Sequence, residues 1–210
     1  MMRNLAVPAF LACVLLVACK NSGPTSSIVD AAPPAPIEYN DPPIVDAGIS
    51  IERAYAAIPH RRTIWMEANS TVPPEEQAYL RVIFEVLDEG VALRVAGLQN
   101  YSNRVFHRGD IDGNFDRLIA YVQGTIPPKS LVAYHQDILT ALYAERQFFV
   151  AWKTQGTSFA FADQISRDPN VQKASTNLRA AYGVLMAKYP QEAQANKDAF
   201  FDYHCALDFL

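Results

Sequence analysis

Two charged residues stand where the helical pattern calls for large apolar ones. Leu80, Phe84, Leu87, Val91, Arg94 and Leu98 recur at spacings of four and three, and so do Leu131, His135, Ile138, Leu142, Glu145, Phe149 and Trp152. An isolated charge in an apolar seam is costly, so Arg94 and Glu145 each need a partner. The simplest expectation is that they form a buried pair across a helical interface and fix its register. The alternative is an internal polar pocket around Glu145, His135 and Arg94, able to bind a small ligand or to do chemistry.

Other residues with chemical potential form weaker patterns. The four histidines are His60, His107, His135 and His204. They form neither Glu-x-x-His pairs nor His pairs one turn apart, so neither a metal site nor any other cofactor is expected. In "GDIDGNFDRL" the residues Asp110, Asp112, Asn114 and Asp116 alternate as in a calcium loop. The glycine is Gly113 rather than position six, and position twelve is Tyr121 instead of glutamate, so the geometry fails where it is strictest. A helix capped by Asp112, with Asp116 in its first turn, is the expected use of these acids. Cys205 follows His204, but neighbours in sequence face different directions on a helix, and a free cysteine commonly serves as a small buried hydrophobe. Neither Gly-x-Ser-x-Gly nor Gly-x-x-x-x-Gly-Lys occurs, which weighs against those two enzyme classes.

Two loops offer candidate binding surfaces. "IPHRRTIWMEANSTV" brings together His60, Arg61, Arg62 and Trp65, and "GTSFAFADQIS" carries Phe159 and Phe161. Arginine and tryptophan are favoured at interface hot spots, while burial against the helices is the competing use of the same aromatics.

The elements that must position these residues are helical throughout. A short helix is expected over 49–58, ending before Pro59. A long one starts in "VPPEEQ", with prolines and acids in its first turn. A shorter helix covers "DGNFDRLIAYVQG", and another long one follows "PPKSL". Asp168 caps the next, with Pro169 at its first position, and the last begins near Pro190 and buries Phe200, His204 and Leu207. The fold class is all-α: an antiparallel bundle of about four long helices plus one or two short ones. Gly90 and Gly97, seven apart on one helix, would let neighbours approach closely.

The amino terminus supplies an address. A basic start with Arg3 precedes an apolar run from Leu5 to Ala18, shorter than the roughly 20 residues a membrane-spanning helix needs. The run ends in Leu16, Val17, Ala18 and Cys19, which resembles the lipobox of bacterial lipoproteins. That resemblance implies a signal peptide over 1–18, cleavage after Ala18, and lipidation of Cys19 with acylation (palmitate among the acyl groups) of the new amino terminus. More than one acyl chain makes for stable membrane anchoring. Lys20 rather than aspartate follows the cysteine, which in enteric-type bacteria implies the outer membrane, facing the periplasm.

Residues 19–48 are rich in Pro, Ala and Ser and read as a tether, leaving 49–210 as one domain. Without residues 1–18 the chain has 17 basic and 22 acidic residues, a formal charge of −5. That balance argues against nucleic acid as a partner. The expected function is a non-enzymatic protein-binding module in the bacterial envelope, acting on another envelope or periplasmic protein. In layout it resembles the immunity lipoproteins that neutralise wall-degrading toxins and the adaptor lipoproteins of envelope machines.

Overall fold

The computed structural model describes residues 37–102, 110–154 and 165–210. Cys19, Phe159 and Phe161 lie outside the described residues, as does His107. The described chain is all-α, with helices α1 (Ile51–Ala56), α2 (Pro74–Ser102), α3 (Ile111–Gly124), α4 (Val132–Thr154), α5 (Pro169–Lys188) and α6 (Gln194–Leu207). One-turn 3-10 helices occupy Glu67–Asn69 and Lys129–Leu131. Among the described residues no helix is long and apolar enough to cross a membrane.

Local chemistry sets the helix starts. Pro74 stands at the first position of α2, followed by Glu75 and Glu76 beside the positive end of the helix dipole. The Asp168 carboxylate accepts from the Asn170 N–H at 2.8 Å and the Val171 N–H at 3.4 Å, with Pro169 next in the chain. The cap of α3 is Asp110 rather than the expected Asp112: its carboxylate accepts from Gly113 N at 3.1 Å. A Cβ at Gly113 would lie 2.1 Å from Asp110 Oδ2, so a side chain there would displace the capping carboxylate. The last helix starts at Gln194, four residues later than Pro190, because 190–193 form a turn held by the Glu192 N–H donating to the Tyr189 carbonyl.

The helices close on one another in chain order. Helix α4 packs most extensively on α5, and the contacts of α2 with α3, α3 with α4, α5 with α6 and α6 with α2 complete the antiparallel bundle. The two 14-residue helices α3 and α6 are therefore part of the wall, and α1 lies against α2. A Cβ on Gly97 would come within 2.5 Å of Phe149 Cε1, and one on Gly90 within 3.2 Å of Leu207 Cδ1. The two glycines thus admit α4 and α6 against α2, as their spacing implied.

Residues 37–48 of the expected tether are docked against the helices. Val45 and Ala47 are buried, and the Tyr39 ring stands 5.8 Å from that of Tyr79, edge to face. Tyr39 donates to the Ile126 carbonyl at 3.0 Å, and the Val45 N–H to Glu89 Oε2 at 3.3 Å. A proline-rich chain makes no internal hydrogen bonds, so side chains of the helices satisfy it here.

Candidate functional site

Helices α2, α4 and α6 bring Arg94, Glu145 and Asp208 into one interior region, but not as the direct pair expected from the seams. Arg94 donates from Nη1 to the Asp208 carbonyl at 3.1 Å, and its guanidinium stands 5.2 Å from the Phe209 ring. It thereby satisfies a carbonyl just past the end of α6, where no intrahelical donor exists. Glu145 is 0% exposed, and neither of its carboxylate oxygens has a hydrogen-bond partner among the described residues. Burial pushes its carboxyl well above the usual range, against the pull of Arg94, with Asp208 adding to the rise. Burial thus favours the protonated form of Glu145, which lies close enough to Arg94 to feel its charge. Asp208 is well held: its carboxylate accepts from Ser175 Oγ at 2.8 Å, Arg179 Nε at 3.3 Å and the Leu210 N–H at 2.9 Å.

His135 does not join this group. It sits ten residues before Glu145 on α4, about 15 Å along the axis at 1.5 Å per residue, and its Nδ1 pairs with the Tyr79 hydroxyl at 3.0 Å. The pocket imagined around Glu145, His135 and Arg94 thus separates into two sites. His204 is buried with Nδ1 2.5 Å from the Phe200 carbonyl, and burial pushes its pKa down to about 4, so the ring is neutral. Cys205 meets His60 rather than His204, sulfur to Nε2 at 3.9 Å, and burial pushes its thiol up. Among the described residues no group of three or more His, Cys, Asp and Glu could hold a metal ion. Beside Cys205 a cleft of about 260 Å³ opens between α5 and α6, lined by Leu178, Tyr182, Phe201 and Asp208 among others.

The loop from His60 to Met66 is built differently from its sequence reading. Arg62 grips Asp88 on α2 through Nη2 at 2.6 Å and Nε at 3.2 Å, and Tyr55 donates to the other oxygen at 2.8 Å. Burial raises the Asp88 carboxyl and these donors oppose the rise. Thr63 donates to Asp202 on α6. Trp65 is only 6% exposed, with its ring edge-on to Phe84 at 5.5 Å and 5.9 Å from Phe200. The Asn196 side chain accepts from the Met66 N–H at 3.0 Å and donates to its carbonyl at 3.2 Å, as a neighbouring peptide would. One turn earlier in the chain, Glu192 accepts from the Thr71 N–H and hydroxyl, both at 2.7 Å. Arg62 and Trp65, two of the residues expected to meet a partner, instead hold the loop to the bundle.

What this loop presents outward is Arg61, Ile64 and Met66, with His60 half-buried beside Cys205. Ile64 is 66% and Met66 49% exposed, while Thr63 and Trp65 between them turn inward. The sequence carries no signal for this, since Ile64, Trp65 and Met66 are all apolar and the alternation over 63–66 exists only in their burial. The clamps Asp88, Glu192 and Asn196 lie far away in sequence and carried no signal of their own. Comparison with protein-family models, curated proteins and solved structures finds no match to this chain.

Proposed function

We propose that this is a lipid-anchored envelope protein whose helical domain is a non-enzymatic module that binds another envelope or periplasmic protein. The observation that carries the reading is the loop over 60–66. Anchored at Asp88, Asp202 and Asn196, it holds two large apolar side chains in water. Ordering of loops and side chains adds to the cost of association, and a pre-fixed loop removes much of that part. Apolar side chains scattered on a surface are ordinary; two on consecutive outward positions of a stapled segment suit recognition. The Leu16, Val17, Ala18, Cys19 tetrad supports the anchor. On the tether reading of the composition, residues 20–36 would reach roughly 50 Å at about 3.1 Å per residue if extended. The partner then lies near the bilayer.

The test uses the full chain in a bacterial host with labelled palmitate, followed by crosslinking in native membranes and mass spectrometry. The expected result is label on the wild type and none on Cys19→Ser, together with one dominant crosslinked partner that is lost from Ile64→Ser/Met66→Ser. Label absent from the wild type would overturn the anchor. Repeated failure to find a specific partner would overturn the binding role.

A further inference from the structure

The clamp on Met66 has an organiser of its own. The Asn196 side-chain nitrogen donates to the Met66 carbonyl at 3.2 Å and to Glu192 Oε1, four residues back, while its oxygen accepts from the Met66 N–H at 3.0 Å. Both amide hydrogens are thereby committed. A flipped amide would turn its oxygen to the Glu192 carboxylate and its hydrogens to the Met66 N–H. The ionised carboxylate therefore dictates the orientation that pairs with the Met66 peptide. The second oxygen of Glu192 accepts from Ser70 Oγ at 3.0 Å and from the Thr71 N–H and hydroxyl, both at 2.7 Å. Four donors thus converge on one buried carboxylate in the turn before α6. A proton added to Glu192 finds donors rather than acceptors around it, and it removes the charge that strengthens all four bonds.

We infer that Glu192 is a positioning residue for the displayed face: ionised, it fixes Asn196 and through it Met66 beside Ile64, and protonated, it lets that end of the loop go. Acid would then withdraw the binding face. This rests on the protein-binding reading above. Burial raises the Glu192 carboxyl, but the bonds from Asn196, Thr71 and Ser70 outweigh it and leave the group below its ordinary value of 4.5. A carboxyl lowered in the folded state stabilises above the unfolded value and loses that contribution as pH falls through the lower folded one. Tyr189, at the end of α5, faces Glu192, and its hydroxyl, raised by burial and bonded to Glu76 at 2.7 Å, stays protonated in acid. Lys188 pairs with Glu76, and Lys197 of α6 donates to the Pro190 carbonyl at 2.7 Å. The other end of the loop answers to different acids, with Arg62 on Asp88 and Thr63 on Asp202, while the Trp65 backbone bonds to Tyr203.

The test is backbone amide exchange of the full chain, followed residue by residue by NMR between pH 7 and pH 3 and corrected for the intrinsic rate. In wild type the Met66 and Thr71 amides should lose protection at least tenfold below pH 4.5, with those of α3 and α4 still protected. Glu192→Gln, uncharged at every pH, should show the loosened Met66 already at pH 7 and no further acid step there. In an Asn196→Ala background, where Met66 has already lost its clamp, Glu192→Gln should change Thr71 and leave Met66 as it was. Unchanged Met66 protection in a folded Glu192→Gln overturns the inference, as does a wild-type acid loss that runs equally through α3 and α4. A Glu192→Gln effect on Met66 that persists undiminished without Asn196 overturns the relay. Should the glutamine variant fail to fold, the wild-type titration decides. These readouts need no partner, so they stand apart from the crosslinking above: failure to capture one overturns the binding role while the Glu192 relay stands. A partner captured equally well by wild type and by a loosened Glu192→Gln at pH 7 overturns the regulation.

Discussion

Replacing Glu145 by leucine should stabilise the domain at neutral and alkaline pH, contrary to what removal of a core carboxylate from an ion pair would do. Among the described residues both Glu145 oxygens are buried without hydrogen-bond partners, and Arg94 gives its Nη1 to the Asp208 carbonyl rather than to Glu145. The folded-state carboxyl is held well above its ordinary value by burial. The sign follows from proton counting. Above the unfolded value the unfolded chain has released its proton while the folded chain keeps it, so stability falls with rising pH. The slope is about 1.4 kcal/mol per pH unit for as long as the folded group stays protonated. Stability from this group is fully present below the unfolded value, near 4.5. His204 opposes it on the acid side: held neutral down to about pH 4, it makes stability fall as pH drops below its ordinary value of 6.5. Above pH 7 His204 is neutral in both states and no longer contributes.

Urea denaturation of wild type, Glu145→Leu and Glu145→Gln at pH 7, 8 and 9 measures the difference, and comparison at each pH cancels the other titrating groups. The leucine variant should be the more stable by about 1–4 kcal/mol, the range found when buried ionic groups give way to apolar ones of similar volume. Its advantage over wild type should grow with pH. Glutamine should flatten the pH slope equally but gain less, since its buried amide lacks partners and leaves about 1–3 kcal/mol of desolvation uncompensated. A loss of about 3–5 kcal/mol in Glu145→Leu, with the pH slope unchanged, would show a true ion pair with Arg94 and refute the reasoning.

Asp88→Asn should cost about 2 kcal/mol, because Arg62 and Tyr55 lose a charged acceptor; chemical denaturation reads the cost, and faster amide exchange over 60–66 locates it. Gly97→Ala forces a Cβ against the Phe149 ring and should destabilise by about 1–3 kcal/mol. Gly183→Ala meets nothing within 4 Å on α5 and should stabilise by up to about 1 kcal/mol; thermal melts of the pair separate packing from propensity. Asp168→Ala should lower stability by about 1 kcal/mol through loss of the α5 cap, again by urea titration.

The helices were legible because their evidence is local and repeated. The α2 and α4 stripes run over many turns, and Asp168 with Pro169 marks a start that two residues suffice to define. The α3 start was ambiguous because Asp110 and Asp112 are both plausible caps, and only the backbone decides which carboxylate reaches an N–H three residues on. The docking of residues 37–48 was not legible, since a Pro/Ala composition forbids a helix without saying whether the extended chain finds a surface.

The site failed to show for a deeper reason. Planar guanidinium and large aromatic groups are favoured both at interfaces and in buried contacts, since in each place they gain from desolvation and directional pairing. Arg62 and Trp65 therefore looked like a partner surface, yet Asp88 and the Phe84 and Phe200 rings already occupy them. What decides between the two uses is the count of unfilled valences after folding, and that count depends on residues 19 or more positions away. On that criterion the outward face belongs to Ile64, Met66 and Arg61, the side chains that folding leaves without a neighbour to satisfy them. Inside the bundle the same criterion finds Glu145 with both carboxylate oxygens unfilled among the described residues. Its seclusion from water makes it a cost to stability, where exposure makes Ile64 and Met66 available to a partner.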